Sequence, residues 1–210
     1  MVRELSPHGG RAVPIAAARA VMTERRPSDT FVVGVMKMEV EGRDSEQFGD
    51  VVARAVATLD EVFSQELQLR TQTLAFAGAH LTPGAGNYAP LDFLEIGLAE
   101  KLERDLPFLL IITEVDLSSS SLAYTLALPS QLTNIAVIST RRLDPAFWGD
   151  ASDPDRTADR LAALMLHCFG HLNGLRHNAD PTKAMFAIEG VQDLDRMTRF
   201  DADELQKIAR

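Results

Sequence analysis

The sequence predicts an α/β (α+β) domain, a mixed sheet with helices packed on it, from three observations. Strand-like apolar segments alternate along the chain with segments of helical periodicity. Residues 107–117 open with an unbroken apolar run, as a central strand buried on both faces requires. With 210 residues, 46% of them hydrophobic, the chain can bury a substantial core without covalent staples.

Residues 1–29 contain Arg, Ala and Pro without a sustained pattern and read as a flexible or loosely docked arm. The apolar stretch at 15–22 is too short for a signal peptide and is interrupted by Arg19. The domain is expected over 30–210. Residues 31–40 are strand-like. Residues 45–67 form a helix, with Phe48, Val51, Val52, Ala55, Val56, Leu59, Val62 and Phe63 on one face. A second strand is expected at 68–76 and, after a Gly/Pro loop, a second helix at 90–105. The central strand follows at 107–117, then a serine loop at 118–121, a short edge strand at 123–128 and a strand at 134–140.

The next helix starts at Ser152-Asp153-Pro154-Asp155, a cap candidate followed by a first-turn proline. Leu161, Leu164, Met165, Phe169 and Leu172 form its apolar stripe. At about 100° per residue, His167 and His171 lie to one side of that stripe and Cys168 lies on its border. A last helix is expected at about 201–208, packed through Leu205 and Ile208.

Composition narrows the function. The single cysteine excludes an intramolecular disulfide, which fits a reducing, cytoplasmic setting. A net charge of −9 argues against nonspecific nucleic-acid binding and against attraction to anionic membranes. No apolar run approaches the length of a membrane span.

Three of the five histidines fall in one stretch, His167-Cys168-Phe169-Gly170-His171-Leu172-Asn173-Gly174-Leu175-Arg176-His177. Residues four apart on a helix share a face, so His167 and His171 can present their imidazoles to one ion. Gly174 stands where a helix commonly ends in a left-handed residue, letting the chain turn back and deliver His177. Three neutral imidazoles leave the fourth tetrahedral position of a zinc ion open, as in catalytic sites. The alternative is three satisfied or solvated histidines on an amphipathic helix.

This stretch resembles the long zinc-binding signature of the metzincin metalloproteases. Met185, in Asn178-Ala179-Asp180-Pro181-Thr182-Lys183-Ala184-Met185-Phe186, stands where that family has a methionine turn beneath the metal. Its spacing resembles the archaemetzincins. So do Leu194-Asp195-Arg196 and Arg199-Phe200 after the methionine, and Val115-Asp116-Leu117, Ala136-Val137-Ile138-Ser139 and Arg142-Leu143 before the helix. The resemblance covers roughly residues 30 to 210. It implies a metzincin-like twisted mixed sheet, an active-site helix followed by a Met-turn, and one Zn2+ on His167, His171 and His177. It also implies an edge strand, here Ala123-Tyr124-Thr125-Leu126-Ala127-Leu128, that pairs with an extended peptide or protein segment. A plain sheet edge is the alternative for that strand.

Two departures stand out. Archaemetzincins carry four cysteines that hold a second, structural zinc; those positions are Asn178, Lys183, Asp203 and Gln206 here, so that second site is expected to be missing. In zincins the residue after the first histidine is a Glu that carries a proton from the attacking water to the leaving amine. Here it is Cys168, two heavy atoms shorter, with one weak sulfur donor or acceptor. Losing a positioned base costs about 10²- to 10⁴-fold in rate.

Cys168 has two readings: a small buried hydrophobe at the edge of the stripe, or a thiol that zinc activates and that is redox-active or blocks the metal. Direct ligation is disfavoured, because adjacent helical residues point about 100° apart. Glu114, Asp116 and Glu189 are candidate replacement bases that the sequence does not place at the metal. The leading expectation is a zinc-binding metalloprotease homologue that is inactive or weakly active, a pseudoenzyme used for binding or regulation. The alternatives are an active zinc-dependent hydrolase with a non-standard base and a metal-free partner-binding module.

Overall fold

A computed structural model describes residues 31–40, 42, 45–83, 87–119 and 122–209; the arm expected at 1–29 lies outside them. Chain order is β1 (Val32–Val40), α1 (Phe48–Val62), β2 (Arg70–Ala79), α2 (Pro90–Glu103), β3 (Phe108–Thr113), β4 (Leu117–Ser119), β5 (Leu122–Thr125), β6 (Ala127–Ser130), β7 (Ile135–Ser139), α3 (Pro154–Leu172) and α4 (Ala202–Ile208). One sheet has the order β2-β1-β3-β7-β6. Its first four strands are parallel, and β6 runs antiparallel to β7 at the edge.

The apolar run in β3 follows from its central place. Leu110 and Ile112 face one core together with Val33, Val35, Ala136 and Ile138, covered by α1 and α3. Leu109 and Ile111 face the other with Met36, Met38, Ile135 and Val137, covered by α2 around Phe93. Every β3 side chain is buried, so a polar residue in this strand would lose water on either face. Among the described residues no helix is long and apolar enough to cross a membrane.

Three expectations are corrected. The helix expected at 45–67 starts at Phe48, and its last turn, Phe63–Leu67, widens to a π-turn that ends at Gln68 with φ +53°. Ser118 and Ser119 are not loop but part of β4, which pairs antiparallel with β5 in a separate two-stranded sheet. The strand expected at 123–128 is two strands, broken by a bend at Leu126. The Thr125 hydroxyl donates to the Ala127 carbonyl at 2.8 Å, closing that corner locally, while Ser139 N–H binds the Leu126 carbonyl and starts the β6–β7 ladder.

Helix α3 spans one side of the domain. Asp153 caps it by accepting from Arg156 N–H, with Pro154 in the first turn as the sequence indicated. Arg160, on the same face as His167 and two turns before it, is 3% exposed. Its guanidinium donates to both Asp195 oxygens, at 2.6 and 3.0 Å, and to the Leu143 carbonyl at 2.7 Å. One buried cation thereby ties α3 to the segment after β7 and to the 3-10 turn Val191–Asp195. Burial alone would raise the Asp195 pKa, but bonds and charge from Arg160 and Arg156 outweigh it and hold the carboxyl at about 2.

Asp195→Ala should therefore destabilise the fold by about 3 kcal/mol at pH 7, since it strands a buried guanidinium beside a partly exposed pair. The folded-state pKa is depressed, so this contribution is full above the ordinary carboxylate pKa near 4 and is lost as pH falls toward 2. Urea denaturation of wild type and variant at pH 7 and near pH 2.5 checks it. A gap that does not narrow in acid would show that the carboxylate is not the cause.

Candidate metal centre

The last turns of α3 and the chain that follows bring His167, His171 and His177 together. The helix ends in a two-bond motif: Leu175 N–H reaches the Gly170 carbonyl at 3.0 Å and Gly174 N–H the His171 carbonyl at 2.9 Å. Gly174 takes φ +79°, so the left-handed conformation expected of it is present. The chain reverses there, and His177 returns to the helix.

His171 Nε2 lies 3.0 Å from His167 Nε2 and 3.1 Å from His177 Nε2. The outer nitrogens are engaged elsewhere: His167 Nδ1 lies 2.8 Å from the Ala184 carbonyl and His171 Nδ1 3.2 Å from the Leu175 carbonyl. A carbonyl only accepts, so both Nδ1 atoms carry the proton and both Nε2 atoms present bare lone pairs. Two lone pairs 3.0 Å apart repel unless a cation lies between them. Zinc–nitrogen bonds of about 2.0–2.1 Å at tetrahedral angles put ligand nitrogens about 3.3 Å apart, close to what is seen. The donor set thus fits a zinc ion held by three imidazoles, with backbone carbonyls orienting two of them.

Exposure is graded across the site. His167 is 6% exposed, His171 half-buried and His177 exposed, so the site opens on the His177 side. Burial, aided by the charges of His171 and His177, lowers the His167 pKa to about 4 against the opposing Ala184 bond. Burial and His177 lower that of His171 as well. Both rings are neutral near pH 7, the form that binds metal.

Met185 is fully buried beneath the helix, and the carbonyl before it is the one that holds His167. It fits because position 170 is glycine: a Cβ there would collide with Met185 Sδ and come within 3.0 Å of Phe200 Cε1. The methionine loop is stitched by Asn178 N–H to the Met185 carbonyl at 2.7 Å and Ala184 N–H to the Arg199 carbonyl at 2.9 Å. Gly170, the Ala184 carbonyl and Gln131, whose amide donates to the His171 carbonyl at 2.7 Å, escaped the sequence reading. A glycine inside a helix was a usable signal for the first, since it costs about 1 kcal/mol there without a packing reason. A backbone carbonyl carries no signal in the sequence.

Cys168 is 1% exposed and belongs to the core shared by α1, α3 and the sheet. Burial pushes its thiol up to about 12. Its place in the core favours the small-hydrophobe reading over the activated thiol. Among the described residues no carboxylate joins the three histidines in the cluster. Glu114 instead holds the main chain and hydroxyl of Ser45, Asp116 forms a two-bond pair with Arg142 at 2.8 and 2.7 Å, and Glu189 is exposed. At the positions of the family's four cysteines, the Asn178 amide donates to Asp201 and Glu204, while Asp203 and Gln206 are exposed on α4.

Purified without chelator, the protein should hold near one zinc per chain by elemental analysis, and His171→Ala should lose it. Gly170→Ala should cost about 1–3 kcal/mol from overpacking against Met185 and weaken zinc retention in a chelator competition. A wild type still empty after zinc is added back, or an alanine variant with unchanged retention, would contradict this geometry.

No model of a protein family matches the chain. An archaemetzincin of Pyrococcus furiosus is 32% identical over 84 residues, 40% of this chain and 44% of that protein, so the match spans less than half of the relative. The crystal structure of an archaemetzincin from Methanopyrus kandleri superposes with a TM-score of 0.64 at 20% identity, over 84% of this chain and 93% of that one. A zinc-dependent peptidase from Methanocorpusculum labreanum gives 0.62 at 18% identity, over 83% of this chain and all of that one. In its fold, its three-histidine site and the 84 matched residues, the chain resembles the archaemetzincins.

Proposed function

We propose that this protein binds zinc and takes an extended peptide or protein segment beside β6, while cleaving it weakly or not at all. The observation that carries the reading is Cys168: where related enzymes have the carboxylate that moves the proton, this chain has a thiol sealed in the core. Bound zinc supplies Lewis acidity, bringing a water pKa to about 7 and polarising a carbonyl. The chain's own share of the chemistry is then limited. His167, His171 and His177 would hold the ion, and the Ala184 and Leu175 carbonyls would fix ring orientation. The Gln131 amide would keep the end of β6 against the last turn of α3. None of these groups can carry a proton to a departing amine.

The binding reading is supported by the site's exposed His177 side and by β6, an antiparallel edge strand packed on the histidine helix. A binding or regulatory module needs that arrangement and does not need the missing base.

Wild type and Cys168→Ala should show equal, weak zinc-dependent turnover of an unstructured protein such as casein. Cys168→Glu should raise turnover by about 10²-fold or more if its carboxylate clears the helix border into the cleft. Efficient zinc-dependent proteolysis by wild type and by Cys168→Ala alike would show that another residue is the base.

A further inference from the structure

The edge that β6 offers to a partner can be read group by group. Ser139 N–H donates to the Leu126 carbonyl at 2.9 Å, and the register continues Leu128 opposite Val137 and Ser130 opposite Ile135. Antiparallel ladders alternate, so Leu126, Leu128 and Ser130 bond inward to β7 while Ala127 and Pro129 turn their main-chain groups out. Of those outward groups, the Ala127 carbonyl already accepts the Thr125 hydroxyl at 2.8 Å. Pro129 has no N–H to offer. Among the described residues, what remains for a partner strand is one donor, Ala127 N–H, and two acceptors, one of them shared.

We infer that an extended peptide along β6 finds two-way main-chain pairing at one residue only, opposite Ala127, and that Pro129 and Thr125 set this limit. This rests on the peptide-binding reading above and narrows it. The residue opposite Ala127 can give and receive a bond, whereas the one opposite Pro129 can donate to the Pro129 carbonyl but finds no donor for its own. Strand addition therefore ends at Pro129, and the fitting partner is a segment extended over about one residue pair and free to bend beyond it. Such a contact is weak and quickly exchanged, because each hydrogen bond contributes only about 0.5–1.5 kcal/mol net, and one of the groups on offer is already shared. The same two features blunt the edge against pairing with a second copy of the chain.

The test measures binding of two fluorescein-labelled extended hexapeptides of alternating Leu and Ala to the full chain. One ends in a hydroxamate, which ligates zinc, and the other in a carboxamide, which does not. Pro129→Ala restores the absent donor and should tighten the hydroxamate peptide about fivefold, the equivalent of one hydrogen bond. Thr125→Val frees the shared carbonyl and should tighten it about twofold. Both should leave zinc content unchanged, and each should tighten the carboxamide peptide by the same factor. Sedimentation at the assay concentration should find each variant monomeric. Unchanged or weaker affinity in both variants, for both peptides, overturns the inference. A chain that binds no zinc and treats the two peptides alike refutes the metal reading instead, and the Pro129→Ala effect on the carboxamide peptide still decides the edge.

Discussion

The hydrogen bond from His167 Nδ1 to the Ala184 carbonyl is the contact on which the rest of the site depends. It crosses seventeen positions of sequence and joins the histidine helix to the methionine loop. Without it a buried imidazole would have an unsatisfied donor, a loss of about 1–3 kcal/mol, and no fixed tautomer. With it, Nε2 is the free nitrogen and points toward His171. The carbonyl is in place only because Met185 can settle against the bare backbone of Gly170. The loop in turn is held by Asn178 and Arg199, and Asn178 reaches on to the capping residues of α4. Ligand geometry is thus an outcome of packing below the helix.

A second tie lies further along the same helix. The Arg160 guanidinium satisfies Asp195 and Leu143 from within the core, and so ties together α3, the segment after β7 and the segment beyond the methionine loop. A buried ion pair of this kind adds little net stability, yet removing one partner is costly, which favours a single arrangement of the three segments. Cys168 sits on the opposite side of this balance. Its position on the border of the stripe has gone to the core. The thiol packs with the apolar residues of α1 and the sheet, away from the exposed side of the histidine cluster.

The strand beside the histidine helix shows how little sequence separates a pairing edge from a guarded one. Strand β6 is brought beside the helix by its ladder to β7 and by Gln131, but its outward groups are partly spent. A proline on an outward position costs the fold nothing, since that N–H would have no partner within the sheet. The constraint would fall on any strand added to that edge.

Much of this was legible in the sequence because it is local. Helical spacing put His167 and His171 on one face, Gly174 marked the reversal, Asp153-Pro154 marked the start of α3, and the run in β3 marked a strand buried on both sides. Each depends on backbone geometry within a few residues, which residue type reports directly. The tertiary structure alone decided the rest. It split the stretch after the serines into β5 and β6, because β5 pairs with β4 while β6 pairs with β7, and the Thr125 hydroxyl closes the corner between them. It gave Ala184 its role through a carbonyl that any residue would supply, and it assigned Cys168 to the core when the helical wheel left it on the border. These outcomes depend on which surfaces meet across long stretches of chain, and spacing along one element does not encode its partners.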